Sequence, residues 1–184
     1  MMKYLRYLGL LIVAVLLNSC AMFYDVQVDK PEKYVAPKHI DLNFDVSGRF
    51  SIKSPNKNSY GNFTWNRTPQ LEVLELNTPI GETVARLTIE SDNITLVDSN
   101  KKVYSDDDLD DLMQERLGFV LPLNYLHYWI QGVALPNEPI TTKLEDGFEQ
   151  LGWKVEYLQW QDPNHPKIIQ CSRNGTVIKL LINW

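Results

Sequence analysis

The sequence predicts a mainly β protein of the α+β class, an antiparallel sheet of about nine strands interrupted once by two helices. Three observations carry this. Apolar and polar residues alternate, the period of a strand with one covered face, through six segments between residues 44 and 104. Two stretches with apolar residues three and four apart follow, between residues 105 and 132. Strand patterns then resume at residue 151 and run to residue 183, with Asn174-Gly175 marking a tight hairpin.

In chain order, Phe44, Val46, Gly48, Phe50 and Ile52 share one face of the first strand. The second, residues 58–67, places Gly61, Phe63 and Trp65 on the face opposite Tyr60, and a hairpin joins the two. Residues 72–77 offer Leu74 and Leu76, and residues 83–89 offer Ala85, Leu87 and Ile89. Between them stands Thr78-Pro79-Ile80-Gly81-Glu82, where Pro-X-Gly signals a turn. Residues 93–97 and 102–104 continue the meander across Asp98-Ser99-Asn100. Ser105 then caps a helix whose clustered carboxylates suit the positive end of the macrodipole and whose buried stripe is Leu109, Leu112, Met113 and Leu117, with Gly118 as its stop. A second helix begins at Pro122 and carries Leu123, Leu126, Trp129 and Ile130 to Gly132. After a link through Pro136 and Pro139 come strands at residues 151–160, 167–173 and 176–183. A twisted sheet of this size tends to curl, and helices that roof its concave face without filling it leave an apolar cavity.

The N-terminus has the anatomy of a secretory signal: Lys3 and Arg6, then an apolar run over residues 8–17 broken only by Gly9. It is too short to span a bilayer, which takes about 20 apolar residues. Leu17-Asn18-Ser19-Cys20 resembles the bacterial lipobox, which implies cleavage before Cys20 and lipid attachment to it. Two or more acyl chains anchor stably where one does not. Ala21 rather than Asp follows the cysteine, so by the analogy of enteric sorting the destination is the outer membrane. The expected organisation is a signal over residues 1–19, a lipidated tether over 20–40 containing Pro31 and Pro37, and one domain over 41–184.

Lys3 and Arg6 leave with the signal, so the mature part holds 16 of the 18 basic residues against 23 acidic ones, a formal net charge of −7. That excludes nucleic acid as a natural partner and argues against a broad basic patch on anionic lipid. Cys171 is then the one remaining thiol, so no intramolecular disulfide forms, and it reads as a buried inert cysteine. No Gly-x-Ser-x-Gly elbow or Walker motif occurs, and His39, His127 and His165 lack ligand spacing. Asp106, Asp108 and Asp110 alternate as in a calcium loop, but Asp111 stands where glycine is required and Leu117 where the bidentate Glu belongs. The expectation is a monomer that is not an enzyme and uses no metal or cofactor.

Gly48-Arg49-Phe50-Ser51-Ile52, Gly61-Asn62-Phe63-Thr64-Trp65, Leu76-Asn77-Thr78-Pro79-Ile80-Gly81 and Leu121-Pro122-Leu123-Asn124-Tyr125-Leu126, with Trp129-Ile130 and Gly132, resemble the LolB family of outer-membrane lipoprotein receptors over roughly residues 44–184. The Pro-Leu-Asn helix start followed by Trp-Ile and Gly is the most specific piece. The resemblance implies an incomplete antiparallel half-barrel with helices covering its concave hydrophobic face. Its cavity would accept the acyl chains of lipoprotein cargo from the periplasmic carrier LolA, and the protein would insert that cargo into outer-membrane lipid without nucleotide hydrolysis. In this family an aliphatic residue protruding from a loop is implicated in membrane insertion, and Ile80, between Pro79 and Gly81, is the matching position. Two features depart from the family pattern: Thr78 intervenes between Asn77 and Pro79, and the region before Asp41 is short where the family has an additional helix. The candidates for lining the acyl cavity are Phe50, Phe63, Trp65, Leu74, Leu76, Leu87, Ile89, Leu126, Trp129 and Ile130. Each reads equally well as ordinary core, because periodicity fixes the buried face and not the space beside it. The alternative function is a structural or assembly lipoprotein that binds a protein partner.

Overall fold

The six strands expected ahead of the helices are β1 (Phe44–Lys53), β2 (Asn58–Arg67), β3 (Leu71–Asn77), β4 (Thr83–Glu90), β5 (Asn93–Asp98) and β6 (Val103–Ser105). Helices α1 (Leu109–Leu117) and α2 (Leu123–Trp129) follow, then β7 (Ile140–Lys143), β8 (Gly147–Gln150), β9 (Trp153–Asp162), β10 (His165–Arg173) and β11 (Thr176–Asn183). The structure, a computed structural model, describes residues 34–184 except 38, 56, 91, 92, 106 and 107. The signal, Cys20 and the tether up to residue 33 lie outside the described residues, as do Asp106 and the start of the acidic run.

All eleven strands form one antiparallel sheet in the order β6-β5-β4-β3-β2-β1-β11-β10-β9-β8-β7. The chain meanders outward from β1 to the β6 edge, crosses through the helices to the β7 edge, and meanders back until β11 pairs with β1, Phe50 opposite Leu180. The two edges do not pair, so the sheet is an open half-barrel. Period-2 alternation sets its inner face: burial in β1 runs strictly in and out, with Phe44, Val46, Phe50 and Ile52 inside. Trp65, Leu74, Leu87, Leu96, Val155, Tyr157, Ile169, Ile178 and Leu180 continue that layer, and both helices bury their apolar stripes against it. Each such aliphatic or aromatic side chain contributes roughly 1.5–3 kcal/mol on leaving water. The Asn174-Gly175 turn has φ of 50° and 79°, both in the left-handed region that a two-residue hairpin needs.

Four features differ from expectation. The sheet has eleven strands because β7 and β8 occupy what reads as a link. All four β7 residues are exposed on the edge, so the segment carries no alternation. Gly147 looks like a loop residue but sits in β8 because a Cβ there would lie 2.0 Å from the Val155 carbonyl oxygen. Strand β9 starts at Trp153, because Leu151 and Gly152 adopt φ of 53° and 74° to turn the chain. Helix α1 is capped by Asp108, which accepts from the backbone N–H groups of Asp110 and Asp111 at 2.9 and 3.1 Å, while Ser105 belongs to β6 and donates to the Ile94 carbonyl. Helix α2 ends at Trp129, short of Gly132.

Candidate functional site

At the β3–β4 connection the chain makes a compact tip. The Gly81 N–H donates to the Thr78 carbonyl at 2.9 Å, and the Thr78 N–H to the Glu82 carbonyl at 2.8 Å. The Thr78 hydroxyl oxygen accepts from the Glu82 N–H at 3.1 Å, and the Asn62 amide donates to the Thr78 and Pro79 carbonyls at 3.3 and 3.4 Å. Proline early in the turn and Gly81 at φ 91° suit this geometry. The result is a turn whose backbone is internally satisfied and whose one large aliphatic side chain, Ile80, is 83% exposed. An aliphatic residue held out by a braced turn has no packing role in the folded domain.

Under the helices the interior is apolar, and two small voids lie there among the described residues. One has about 20 Å³ of room for the centre of a water-sized sphere and is lined by Phe50, Phe63, Trp65, Leu74, Leu76, Leu121, Leu123, Leu126 and Leu180. The other has about 10 Å³ and is lined by Leu74, Leu76, Ala85, Leu87, Leu96, Met113 and Leu117. Each is about one water molecule in size, and walls without polar groups keep such spaces dry. Of the sequence candidates, Phe50, Phe63, Trp65, Leu74, Leu76, Leu87 and Leu126 line these voids. Ile89 is only partly buried and packs against the core, while Trp129 and Ile130 are buried away from both voids. Met113, Leu117 and Leu123 were legible as buried stripes but not as void lining, since no pattern in one element reports the gap facing another.

The helices are tied to the sheet at different places. At the end of α1, the Lys57 ammonium donates to the Leu117 carbonyl at 2.6 Å, and the Arg116 guanidinium lies 4.0 Å from the Tyr104 ring centre. At the end of α2, the Tyr157 hydroxyl donates to the Trp129 carbonyl at 3.0 Å and the Tyr34 hydroxyl to the Gly132 carbonyl at 2.8 Å. Tyr34 falls in the stretch assigned to the tether, yet it stacks on Tyr157 with ring centres 5.1 Å apart, and burial pushes its phenol up to about 12. The Gln131 amide bonds both backbone groups of Asp41 at 2.7 and 3.0 Å. Tyr34 and Asp41 are therefore tied to the domain at the α2 end.

Among the described residues no helix is long and apolar enough to cross a membrane, and no cluster of three His, Cys, Asp or Glu side chains is placed to hold a metal ion. Cys171 is fully buried, and that burial pushes its thiol far above the ordinary range.

Comparison with known proteins decides the family. The family described as Outer membrane lipoprotein LolB matches residues 42–184. The chain belongs to the LolB family. It is 30% identical to the outer-membrane lipoprotein LolB of Chromobacterium violaceum over 98% of this chain and 99% of that protein. It is 32% identical to that of Neisseria meningitidis serogroup A, over 78% of this chain and 72% of the other. With that of Cupriavidus metallidurans it shares 33% identity over 70% and 72% of the two chains. The LolB match begins at residue 42, two residues ahead of β1, and takes in the whole sheet, both helices and the Ile80 turn.

One buried histidine sits inside this LolB fold. His127, on α2, is 7% exposed, its Nδ1 lies 3.0 Å from the Leu123 carbonyl, and burial lowers its imidazole to about 4. The native state thus binds the proton less readily than the unfolded chain, whose histidine titrates near 6.5. The stability held by neutral His127 is complete above about 6.5 and is lost as pH falls toward 4, amounting to about 3 kcal/mol over that window. Urea denaturation at pH 7 and pH 4 is expected to show this loss, and His127→Gln should flatten it; an unchanged slope would assign the acid sensitivity elsewhere.

Proposed function

We propose that the protein is an outer-membrane-anchored receptor, its domain facing the periplasm, that takes the acyl chains of lipoproteins from the soluble carrier LolA into its hydrophobic interior and releases the lipoproteins into the outer membrane. Cys20 is the lipid-attachment residue, the Pro79-Ile80-Gly81 turn is the membrane-inserting tip, and the apolar layer beneath α1 and α2 shelters the acyl chains. The observation that carries this reading is that interior: a continuous layer of aliphatic and aromatic side chains between sheet and helices, with two small apolar voids along it.

An acyl chain of about 15 methylenes gains roughly 12 kcal/mol on leaving water, so transfer between apolar sites needs no nucleotide hydrolysis. It needs only an interior that binds the chains more tightly than the donor does and a bilayer that is a better sink still. The voids admit about one water each, far less than an acyl chain, so chains enter by displacement of the helices from the sheet. The same smallness favours a second reading, an assembly lipoprotein with an essentially filled core and a protein partner.

A hydrophobic fluorescent probe separates the two. Under the receptor reading the probe binds the domain, is displaced by an acylated lipopeptide, and is untouched by the same peptide without acyl chains. Absence of probe binding, or equal displacement by both peptides, would favour the filled-core reading.

A further inference from the structure

We propose that the interior is two acyl sites, a lobe beneath α1 and a lobe beneath α2, each closed by its own helix and each taking a separate chain of one multiply acylated molecule. This rests on the receptor reading above and specifies its ligand.

The two voids have no helical residue in common. Met113 and Leu117 of α1 roof one, and Leu123 and Leu126 of α2, with Leu121 ahead of them, roof the other. What they share is Leu74 and Leu76 on β3, a two-residue wall standing between the lobes. Their floors differ in kind. Beneath α1, Ala85 is the one small side chain among leucines, and Met113 supplies an unbranched, adaptable thioether. Beneath α2 the floor is aromatic, with Phe50, Phe63 and Trp65.

The roofs are mechanically separate as well. Gly118, at φ 77°, ends α1 in the left-handed region and breaks the helical ladder between them. Lys57 and Tyr104 hold α1, whereas Tyr157, Tyr34 and Gln131 hold the far end of α2. None of the bonds named for one helix is shared by the other. Two chains diverging from a single head group fit this plan, straddling the Leu74 and Leu76 wall with the head group at the interhelical link. A diacylglycerol-modified cysteine has that shape.

The experiment uses the mature chain with Cys20→Ala, titrated with a single-chain fluorescent fatty acid and with mono- and diacylated lipopeptides. Two equivalents of fatty acid and one of diacyl lipopeptide are expected to bind. Ala85→Leu, which fills the lobe beneath α1, should reduce fatty-acid binding to one equivalent and weaken the diacyl lipopeptide at least tenfold, with the monoacyl lipopeptide unchanged. Should Ala85→Leu melt below the assay temperature, Met113→Phe fills the same lobe from the helix side. A single equivalent of fatty acid in the unsubstituted lobes, or parallel weakening of mono- and diacyl lipopeptides in the filled variant, would mean one continuous cavity and overturn the proposal with the receptor reading intact. Failure of every acylated ligand to bind would remove the receptor reading itself.

Discussion

Ile80→Glu is expected to fold normally and to lose delivery of lipoprotein cargo to liposomes by about a hundredfold. The side chain is 83% exposed and none of the hydrogen bonds that shape its turn involves it, so stability should change by less than about 0.5 kcal/mol. In lipid the position reverses its significance. Burying an isoleucine gains roughly 1.5–3 kcal/mol, and a carboxylate forfeits that gain and adds a desolvation cost, so a loss of about 3 kcal/mol in membrane engagement is a conservative figure. Thr78, which departs from the family pattern, does not loosen the tip. Its N–H donates to the Glu82 carbonyl, its carbonyl accepts from the Gly81 N–H, and its hydroxyl oxygen accepts from the Glu82 N–H. Ile80 therefore projects from a rigid mount, and replacement by Leu should preserve delivery where Glu does not. Thermal melts of both variants, alongside pelleting of a labelled lipoprotein with liposomes, make the comparison. Full delivery by a natively folded Ile80→Glu protein would remove the tip from the mechanism.

The residues that were legible in the sequence are those whose neighbours obey one period. Strands β1 to β4 each cover one face, so Phe50, Trp65, Leu74 and Leu87 announce both their strand and their inward direction. The β10–β11 turn was equally plain, because few dipeptides other than Asn-Gly take two positive φ values cheaply. The β7–β8 hairpin was hidden for the opposite reasons: β7 is an edge strand with no covered face, and β8 opens on a glycine required by the Val155 backbone. The site divided in the same way. Periodicity placed the apolar wall, but which members face open space depends on how α1 and α2 lie over it, a tertiary fact. Trp129 shows the limit: its pattern matches a cavity residue, while its indole N–H is spent at 3.2 Å on the Gln150 side-chain amide oxygen.

That partner is the residue least visible in the sequence and among the most consequential in the fold. Gln150 follows a Pro-rich link and ends a strand that periodicity does not report, yet it is 0% exposed and makes four hydrogen bonds. Its oxygen accepts from Trp129 Nε1 at 3.2 Å and from the Leu135 N–H at 2.8 Å; its nitrogen donates to the Leu135 and Glu138 carbonyls at 3.0 and 2.9 Å. One side chain thereby binds α2 and the whole connection into β7. Gln150→Leu is nearly equal in volume and leaves two donors and two acceptors without partners, each worth about 1–3 kcal/mol where water cannot replace them. With part of that recovered by solvent at the half-buried link, a net loss of about 4 kcal/mol is expected, or a fall of roughly 10 °C in Tm for a domain of this size. Because the lost bonds hold the α2 end of the roof, entry of an acyl probe should also quicken, measured by stopped flow below the lowered Tm. Trp129→Phe in the Gln150→Leu background removes one orphaned donor and should recover part of the stability. A loss under about 1 kcal/mol would mean that water reaches all four groups, and the roof would then be tied down through Tyr157, Tyr34 and Gln131 alone.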